Sequence, residues 1–192
     1  MKKLGITLSA FALIALMGCK EKKTDKEETI VEETTEEVIK AAPITVSFAL
    51  ESKSESTATG KVQFQEVDGI VSLYAEFSGL TPGNHAIHIH EKADCSSPDG
   101  KSAGGHWNPT LEKHGKWGDS EGYHKGDIGN FEADANGNGS ISMQTDEWCI
   151  GCGDEKKDIL GKGIIVHQGV DDFTTQPTGD AGGRVSCGGI IQ

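Results

Sequence analysis

Residues 85–127 read HAIHIHEKADCSSPDGKSAGGHWNPTLEKHGKWGDSEGYHKGD and contain six of the seven histidines of this 192-residue chain. Glycine, proline and charged residues interrupt the stretch, so it lacks the period of an amphipathic helix. Neutral imidazole nitrogens are good ligands for zinc and copper. The concentration of histidines in such sequence predicts a metal site with the rest of the fold built around it.

The spacing at the start of this stretch sets the geometry of two ligands. His88 and His90 are two residues apart, so on a β-strand both side chains point to one face while Ile89 points to the other. A pair of this kind can bind one metal ion together. His85 has the opposite parity, and we expect it to be a structural, hydrogen-bonding histidine.

The other candidate ligands are spread over the rest of the stretch and one later segment: His106, His114, His124, Asp127 and His167. Three imidazoles and one carboxylate form a closed tetrahedral set that suits zinc, and four imidazoles suit copper. With His85 set aside, six histidines and Asp127 give seven ligands, one fewer than two four-ligand sites need. A deprotonated imidazole can hold a metal on each nitrogen. The sequence therefore predicts one shared histidine, and His106 lies midway between the others.

From residue 44 onward, short strand-like runs alternate with Gly, Asn and Asp turns. Eight such runs predict an all-β fold, an antiparallel sandwich or barrel. The dipeptide Asp68-Gly69 and the Asn-Gly repeat of 136–139 are typical of hairpin turns. Two long connections, 91–127 and 170–183, are expected to carry function, as long loops in compact β domains usually do. The predicted strands are 44–52, 60–67, 70–78, 85–91, 128–135, 139–146, 163–169 and 185–191.

The first 43 residues have a different character. Residues 1–19 have a basic start and an apolar run, and they end in Leu-Met-Gly-Cys, which is typical of a secretory signal and resembles a bacterial lipobox. This predicts a lipid on Cys19 that anchors the chain to a membrane; ordinary signal cleavage is the alternative. Residues 20–43 are dense in charge and predict a disordered acidic tether, with a short amphipathic helix as the alternative. We expect one domain over 44–192 at the cell envelope, in the periplasm or on the surface.

The net charge limits the classes of binding partner, and the cysteines indicate the oxidation state in which they are expected. The net charge of −12 argues against nucleic acid and anionic membrane surfaces as partners. An exported chain meets an oxidising compartment, where cysteines are expected to form disulfides. If Cys19 carries lipid, three pairings are open for the remaining four cysteines: Cys95, Cys149, Cys152 and Cys187.

The motifs of the domain carry a family resemblance. They follow one another in the order HAIHIHE, GGHWNP, HGK, HKGDIGNF, VHQGVDD and GDAGGRVSCGGI, and together they resemble copper/zinc superoxide dismutase over nearly all of 44–192. The resemblance implies an eight-stranded antiparallel Greek-key β-barrel with two long functional loops. It also implies two ligand sets, with copper at His88, His90, His106 and His167, and zinc at His106, His114, His124 and Asp127.

Further assignments depend on the same resemblance. Asp171 matches a carboxylate that links a copper histidine to a zinc histidine and orients both. Cys95 and Cys187 match an intramolecular disulfide. The remaining pair, Cys149 and Cys152 in WCIGCG, falls outside the family pattern. A local disulfide is the favoured interpretation, and a redox-active pair or a metal clip is the alternative.

Arg184 is the only arginine of the chain. In the family that the chain resembles, the matching arginine guides and holds superoxide beside the copper. An acidic domain that acts on an anion needs such a local positive charge. A structural salt bridge is the alternative interpretation of this residue.

The resemblance thus implies an oxidoreductase that dismutates superoxide to oxygen and hydrogen peroxide, with His106 leaving the copper on reduction and delivering a proton. The alternative function is a non-catalytic module that binds or buffers copper and zinc. Such a module would be expected to have lost a copper histidine or the arginine. The sequence leaves the subunit count open, and a homodimer is one candidate assembly.

Overall fold

The computed structural model describes residues 42–192. The predicted signal segment, Cys19 and nearly all of the predicted tether lie outside the described residues. The regular structure of the described part consists of eight strands and one short 3-10 helix, Lys101–Ala103. The strands are β1 (Ile44–Ser52), β2 (Thr59–Val67), β3 (Ile70–Ser78), β4 (Gly83–His90), β5 (Gly129–Ala133), β6 (Gly139–Thr145), β7 (Gly163–His167) and β8 (Arg184–Gly189).

The eight strands pair antiparallel and close into one barrel in the order β1-β2-β3-β6-β5-β4-β7-β8, with β8 returning to β1. Strands β4 and β7 are inserted between β5 and β8, so the connections β3–β4 and β6–β7 cross an end of the barrel in a Greek-key pattern. The predicted all-β barrel is confirmed. Each predicted strand is present, and no strand end differs from its prediction by more than two residues.

The β2–β3 hairpin shows how local sequence fixes the register. Val67 pairs with Ile70, which leaves Asp68 and Gly69 as a two-residue loop, and both loop residues have positive φ, 52° and 79°. This is the conformation that a type I′ turn requires and that Asp-Gly favours. The register then places alternate β3 side chains in the core: Val71, Leu73, Ala75 and Phe77.

Strands β4 and β7 are buried on both faces, unlike the strands that alternate. All residues from His85 to His90 and all residues of β7 are buried. The inner face of β4 contributes Ile87 and Ile89 to the barrel core, while His88 and His90 are fully buried on the opposite face. The long connections must therefore cover the outer face of β4, which becomes the floor of a closed, histidine-rich site.

A disulfide ties the first long connection to the barrel. Cys95 is bonded to Cys187 of β8 with a Cα–Cα distance of 5.8 Å across 92 residues of sequence, and this confirms the predicted pair. Ala103 and Ile165 pack against the disulfide in a small core of their own. Closing a loop of this size contributes about 4–5 kcal/mol in the chain-entropy model. No helix between residues 42 and 192 has the length and apolar character needed to cross a lipid bilayer.

Candidate metal centre

Backbone pairing brings two parts of the long loop onto the outer face of β4. The N–H of Trp107 donates to the Ile89 carbonyl at 2.8 Å, that of Ile89 to the Gly126 carbonyl at 2.9 Å, and that of Gly126 to the Trp107 carbonyl at 3.0 Å. Residue 126 must be glycine, because a Cβ there would lie 2.2 Å from the Ile89 oxygen. This junction sets His106 and the turn 124–127 beside the histidine pair of β4.

Two groups of potential metal ligands meet at this junction. Within each group the ligand atoms lie within 4.8 Å of one another, and every member is buried. The four-histidine group consists of His88, His90, His106 and His167, and the histidine–aspartate group consists of His106, His114, His124 and Asp127. The structure thus brings together the same two sets of residues that the family resemblance implied for copper and for zinc.

His106 belongs to both groups. Its ring centroid lies 4.0 Å from that of His88 and 5.3 Å from that of His114. Its Nδ1 lies 2.9 Å from Asp127 Oδ1, whereas its buried Nε2 has no hydrogen-bond partner. One nitrogen of the ring is thus engaged by the histidine–aspartate group, and the other is free of protein partners.

Unpartnered ring nitrogens test whether metal ions fit these groups. Across residues 42–192, the buried side-chain polar atoms without a hydrogen bond include His88 Nδ1, His106 Nε2, His114 Nδ1 and His124 Nδ1. The His114 nitrogen is 3.0 Å from Asp127 Oδ2 but is not oriented for a hydrogen bond. A buried polar atom without a partner costs about 1–3 kcal/mol. Coordination to metal ions would satisfy all four nitrogens, so the residues fit the two ions.

Asp127 organises the histidine–aspartate group. Its Oδ2 accepts the backbone N–H of Gly115 at 3.1 Å and that of His124 at 2.8 Å. These bonds orient the carboxylate, which is fully buried, so that its other oxygen faces His106. The carboxylate is thus fixed in place before any ligand binds.

Asp171 links the two groups, as predicted from the resemblance. Its Oδ2 accepts the Nε2–H of His88 at 2.8 Å, and its Oδ1 accepts the Nε2–H of His114 at 2.8 Å. Since a carboxylate only accepts, both rings must carry their proton on Nε2. The Nδ1 atoms are then the positions at which these two rings can bind metal ions, one in each group.

Backbone carbonyls orient the other two rings of the four-histidine group. His90 Nδ1 donates to the Gly104 carbonyl at 3.0 Å, and His167 Nδ1 donates to the Gly182 carbonyl at 3.4 Å. The Nε2 atoms of the two rings consequently lack protons, yet they lie only 3.4 Å apart. Two lone pairs this close repel unless both point at one cation.

The electrostatic environment disfavours protonation of three rings of the four-histidine group, namely His90, His106 and His167. Burial first, and then the neighbouring histidines, hold the pKa of His90 and of His167 well below the ordinary value. Burial also lowers the pKa of His106 to about 4, against the opposing hydrogen bond with Asp127. At neutral pH these rings are unprotonated and able to act as ligands.

The histidine–aspartate group attracts positive charge instead. Burial acts to lower the pKa of His114, but the nearby carboxylates of Asp127 and Asp171 outweigh it and raise the pKa to about 9. Burial likewise acts to raise the pKa of both carboxyls, yet their hydrogen bonds with histidines hold it far below the usual range. The two buried carboxylates thus favour positive charge at this group, and a metal ion bound there would take the place of the proton that they stabilise on His114.

Arg184 lies next to the four-histidine group. Its Nη1 donates to the Gly100 carbonyl at 2.8 Å, and its Nη2 donates to the Gly104 carbonyl at 2.7 Å. The Gly104 carbonyl is also the acceptor for His90, so one carbonyl oxygen positions both the guanidinium and the imidazole ring. The hydrogen bonds go to backbone carbonyls and not to a carboxylate, which disfavours the salt-bridge interpretation and leaves the positive charge available to an anion.

Two side-chain amides support the site and were missed by the sequence analysis. Asn130 donates to the Asp171 carbonyl at 2.9 Å and accepts its N–H at 2.8 Å. Gln176 does the same for His114, donating to its carbonyl at 2.8 Å and accepting its N–H at 2.9 Å. We call these the two amide clamps. The only sequence signal for either is the position of Asn130 three residues after Asp127.

His85 lies apart from both groups, in agreement with its opposite parity. Its Nδ1 is 2.8 Å from the carbonyl oxygen of His167, and its Nε2 is 2.8 Å from the carbonyl oxygen of Thr81. It is neither a member of the four-histidine group nor of the histidine–aspartate group. Its contacts are those of a structural residue that fixes the end of β7.

The second cysteine pair forms the local disulfide that the sequence favoured, with a Cα–Cα distance of 6.0 Å between Cys149 and Cys152. The sulfurs and the Asp158 carboxylate come within 4.8 Å of one another. Since the sulfurs are bonded to each other, they are not available as thiolate ligands. The structure therefore favours the disulfide over the metal clip.

Comparison with known proteins places this centre in a family. The chain matches the family model for copper/zinc superoxide dismutase (SODC) over residues 58–190. The superoxide dismutase-like protein YojM of Bacillus subtilis is 30% identical over 191 residues, which cover 97% of this chain and 95% of that protein. The Cu-Zn superoxide dismutase of Caulobacter vibrioides is 40% identical over 135 residues, which cover 68% of this chain and 77% of that enzyme.

A solved structure agrees with the sequence matches. The crystal structure of the clock protein EA4 superimposes with a TM-score of 0.67 and 33% sequence identity, over 79% of this chain and 97% of the other. The sequence matches, the barrel topology and the two groups of buried ligands thus support the same family assignment. This chain belongs to the copper/zinc superoxide dismutase family.

Proposed function

We propose that this chain dismutates superoxide to oxygen and hydrogen peroxide. Copper would be held by the four-histidine group and zinc by the histidine–aspartate group, the two metals that the family uses. The observation that carries the proposal is the membership of His106 in both groups. When bound, copper would supply one-electron redox chemistry, and zinc would fix and polarise the shared ring.

Arg184 is proposed to bind the substrate. Superoxide is an anion and the chain carries a net charge of −12. Association of the substrate with the site therefore depends on a local positive charge. The guanidinium is held by the Gly100 and Gly104 carbonyls beside His90. This fixed position, with no carboxylate among its hydrogen-bond acceptors, supports a role in drawing the anion to the four-histidine group and orienting it.

His106 is proposed to supply a proton. The superoxide that is reduced needs two protons to leave as hydrogen peroxide. The Nε2 of His106 is buried and has no hydrogen-bond partner, so a proton held there has no competing acceptor. Asp127 anchors the Nδ1 side of the ring, so the ring can exchange a proton at Nε2 without losing its orientation.

A second candidate is a non-catalytic module that binds copper and zinc. One relative, YojM, bears the name superoxide dismutase-like, which is why this candidate is retained. The present chain keeps all four histidines of the four-histidine group and Arg184. A module that only stores metal needs no oriented guanidinium beside its histidines, and this favours the enzyme.

We also propose that the chain is exported and held at the cell envelope through lipid on Cys19. The support is the apolar run that ends at this cysteine, followed by the acidic stretch 20–43. The mass of the mature protein, measured without reduction, tests this proposal. A mass that includes a diacylglycerol and an N-terminal fatty acid is expected, and an unmodified N-terminus at another residue would refute it. The same measurement under native conditions gives the subunit count and so tests the homodimer.

The experiment that tests the enzymatic proposal combines metal analysis with a superoxide-consumption assay on the purified chain. One copper and one zinc per chain are expected, with rapid consumption of superoxide. Replacing Arg184 with Gln should slow consumption by roughly tenfold or more and reduce its dependence on ionic strength, with metal content unchanged. Arg184→Lys, which keeps the charge, should retain more activity. Full copper loading without superoxide consumption would refute the enzyme and favour the binding module.

A further inference from the structure

The segment between β6 and β7 carries a disulfide that the metal centre does not use. Cys149 and Cys152, three residues apart in the sequence, form this disulfide. The two cysteines differ in their exposure to solvent. Cys149 is 7% exposed, whereas Cys152 is an exposed residue. A thiolate that approaches from solution can therefore reach one end of the bond and not the other.

Hydrogen bonds hold this segment in addition to the disulfide. Asp158 accepts three backbone N–H groups, from Gly151 and Gly153 at 2.9 Å and from Leu160 at 3.0 Å. The backbone of Cys149 is also fixed, because its N–H donates to the Lys157 carbonyl at 2.9 Å. These bonds add to the constraint that the disulfide places on the turn.

The cross-link also constrains little of the unfolded chain. The entropy that a disulfide removes grows with the number of residues that it encloses. This one spans 3 residues of sequence, against 92 for the pair formed by Cys95 and Cys187. The disulfide therefore contributes little stability to a turn that the hydrogen bonds of Asp158 already hold, and it has no evident structural role.

We propose that Cys149 and Cys152 form a thiol–disulfide exchange site for an external thiol. A thiolate attacks the exposed sulfur of Cys152 and forms a mixed disulfide, and the electron pair of the broken bond goes to Cys149, which leaves as a thiolate and takes up a proton. A second thiolate attacks the outer sulfur of the mixed disulfide and releases Cys152. In total, two thiols become one external disulfide, and the protein disulfide becomes two cysteine thiols.

The surroundings leave room for the incoming thiol. A groove of about 590 Å³ runs beside the turn and is lined by Trp107, Asn108, Pro109, Gly153 and Lys156 among others. Cys152 does not line the groove itself, but it directly precedes Gly153, which does. The other disulfide is less accessible, because Cys187 has no exposed surface and Cys95 is half-buried, whereas Cys152 is exposed.

The test uses the full-length, metal-loaded protein with glutathione as the probe. The protein is equilibrated with reduced glutathione, free thiols are trapped by alkylation in acid, and peptide mass spectrometry locates them. The bond between Cys149 and Cys152 is expected to open at least roughly tenfold faster than the bond between Cys95 and Cys187. Opening of both bonds at the same rate, or of the buried bond first, would overturn the proposal.

Two matched variants test the direction of attack. Oxidised glutathione is offered to Cys149→Ser, which leaves a thiol at the exposed position, and to Cys152→Ser, which leaves a thiol at the buried position. The first variant is expected to form the mixed disulfide about tenfold faster than the second. Equal rates would contradict the assignment of Cys152 as the attacked sulfur. Neither measurement depends on superoxide consumption, so the proposed function and this proposal can fail separately.

Discussion

Two sides of the barrel bury their strands in different ways: the alternating side, which contains β3 and β6, and the covered side, which contains β4 and β7. Strand β3 alternates between buried and exposed residues, and β6 alternates over most of its length, so each has one face in the core and one in solvent. Nearly all of β4 and all of β7 are buried, because the long loops cover their outer faces. The alternating side supplies stability from apolar packing alone, while the covered side supplies a closed polar site. Changes on the two sides should therefore have separable effects.

The largest effect on stability is expected on the alternating side. Leu73 of β3 is 1% exposed and lies in the main core. Leu73→Ala should lower the free energy of unfolding by about 2–5 kcal/mol, because it leaves a cavity that the barrel fills only in part. Chemical denaturation measures the loss, and metal analysis should still find both ions. The matched control is Gln63→Ala, an exposed residue of β2, which should change stability by less than about 0.5 kcal/mol.

The largest effect on metal binding is expected from Asp171→Asn on the covered side. An amide has one accepting oxygen, so it cannot accept from both His88 and His114, and one ring must turn or change its tautomer. Metal affinity should fall by about 10–100-fold. Competition with a chelator measures the affinity. Asp172→Asn is the control, since Asp172 is exposed and its side chain bonds only to Thr174 and Thr175. Equal affinity in both variants would show that the link through Asp171 does not orient the ligands.

A smaller effect is expected from the amide clamp on His114. Gln176→Glu keeps the acceptor for the His114 N–H and removes the donor to the His114 carbonyl, so it breaks one of two bonds. Loss of a hydrogen bond of this kind costs about 1 kcal/mol, which corresponds to a weakening of zinc affinity by about fivefold. Cobalt in place of zinc should report the changed geometry in its visible spectrum. Gln168→Glu introduces the same charge change at another exposed position and should leave the spectrum unaltered.

The smallest effect is a pH-dependent change in stability. It is expected from Asp158, in the connection between β6 of the alternating side and β7 of the covered side. Burial acts to raise the pKa of Asp158, but hydrogen bonds from Gly153, Leu160 and Gly151 outweigh it and lower the pKa. A lowered folded-state pKa stabilises the fold above the unfolded value of about 3.9, and this contribution is lost as the pH falls through the folded value. Asp158→Asn should therefore be less stable than the parent by about 1 kcal/mol at pH 7, and the difference should shrink below about pH 4. A difference that is constant from pH 7 to pH 3 would contradict this assignment.

Much of the fold was readable from local patterns. Alternation in β3 and the Asp68-Gly69 turn specify a strand and its register from neighbouring residues alone. The ligand histidines were recognisable because imidazoles are rare and their spacing on β4 fixes a common face. Residue type and parity thus predicted a metal site with a shared histidine, while the division of the ligands into a copper set and a zinc set came from the family resemblance.

The amide clamps could not be predicted in the same way. Gln176 pairs with the backbone of His114, 62 residues away, through a conformation that both long loops adopt together. A single glutamine in an exposed loop has no periodicity, and its residue type fits any surface. The same holds for Asp158, whose three backbone donors come from a turn that forms around it. Residues that act through backbone contacts in irregular loops leave no pattern in the sequence.

The central claim is that one imidazole serves two metal ions. Anomalous diffraction from crystals of the copper- and zinc-loaded protein, collected at the absorption edge of each element, tests it most directly. The account predicts each ion at about 2.0–2.1 Å from a different nitrogen of His106, with zinc on Nδ1 and copper on Nε2 in the oxidised protein. Both ions present, with either of them outside coordinating distance of His106, would contradict it.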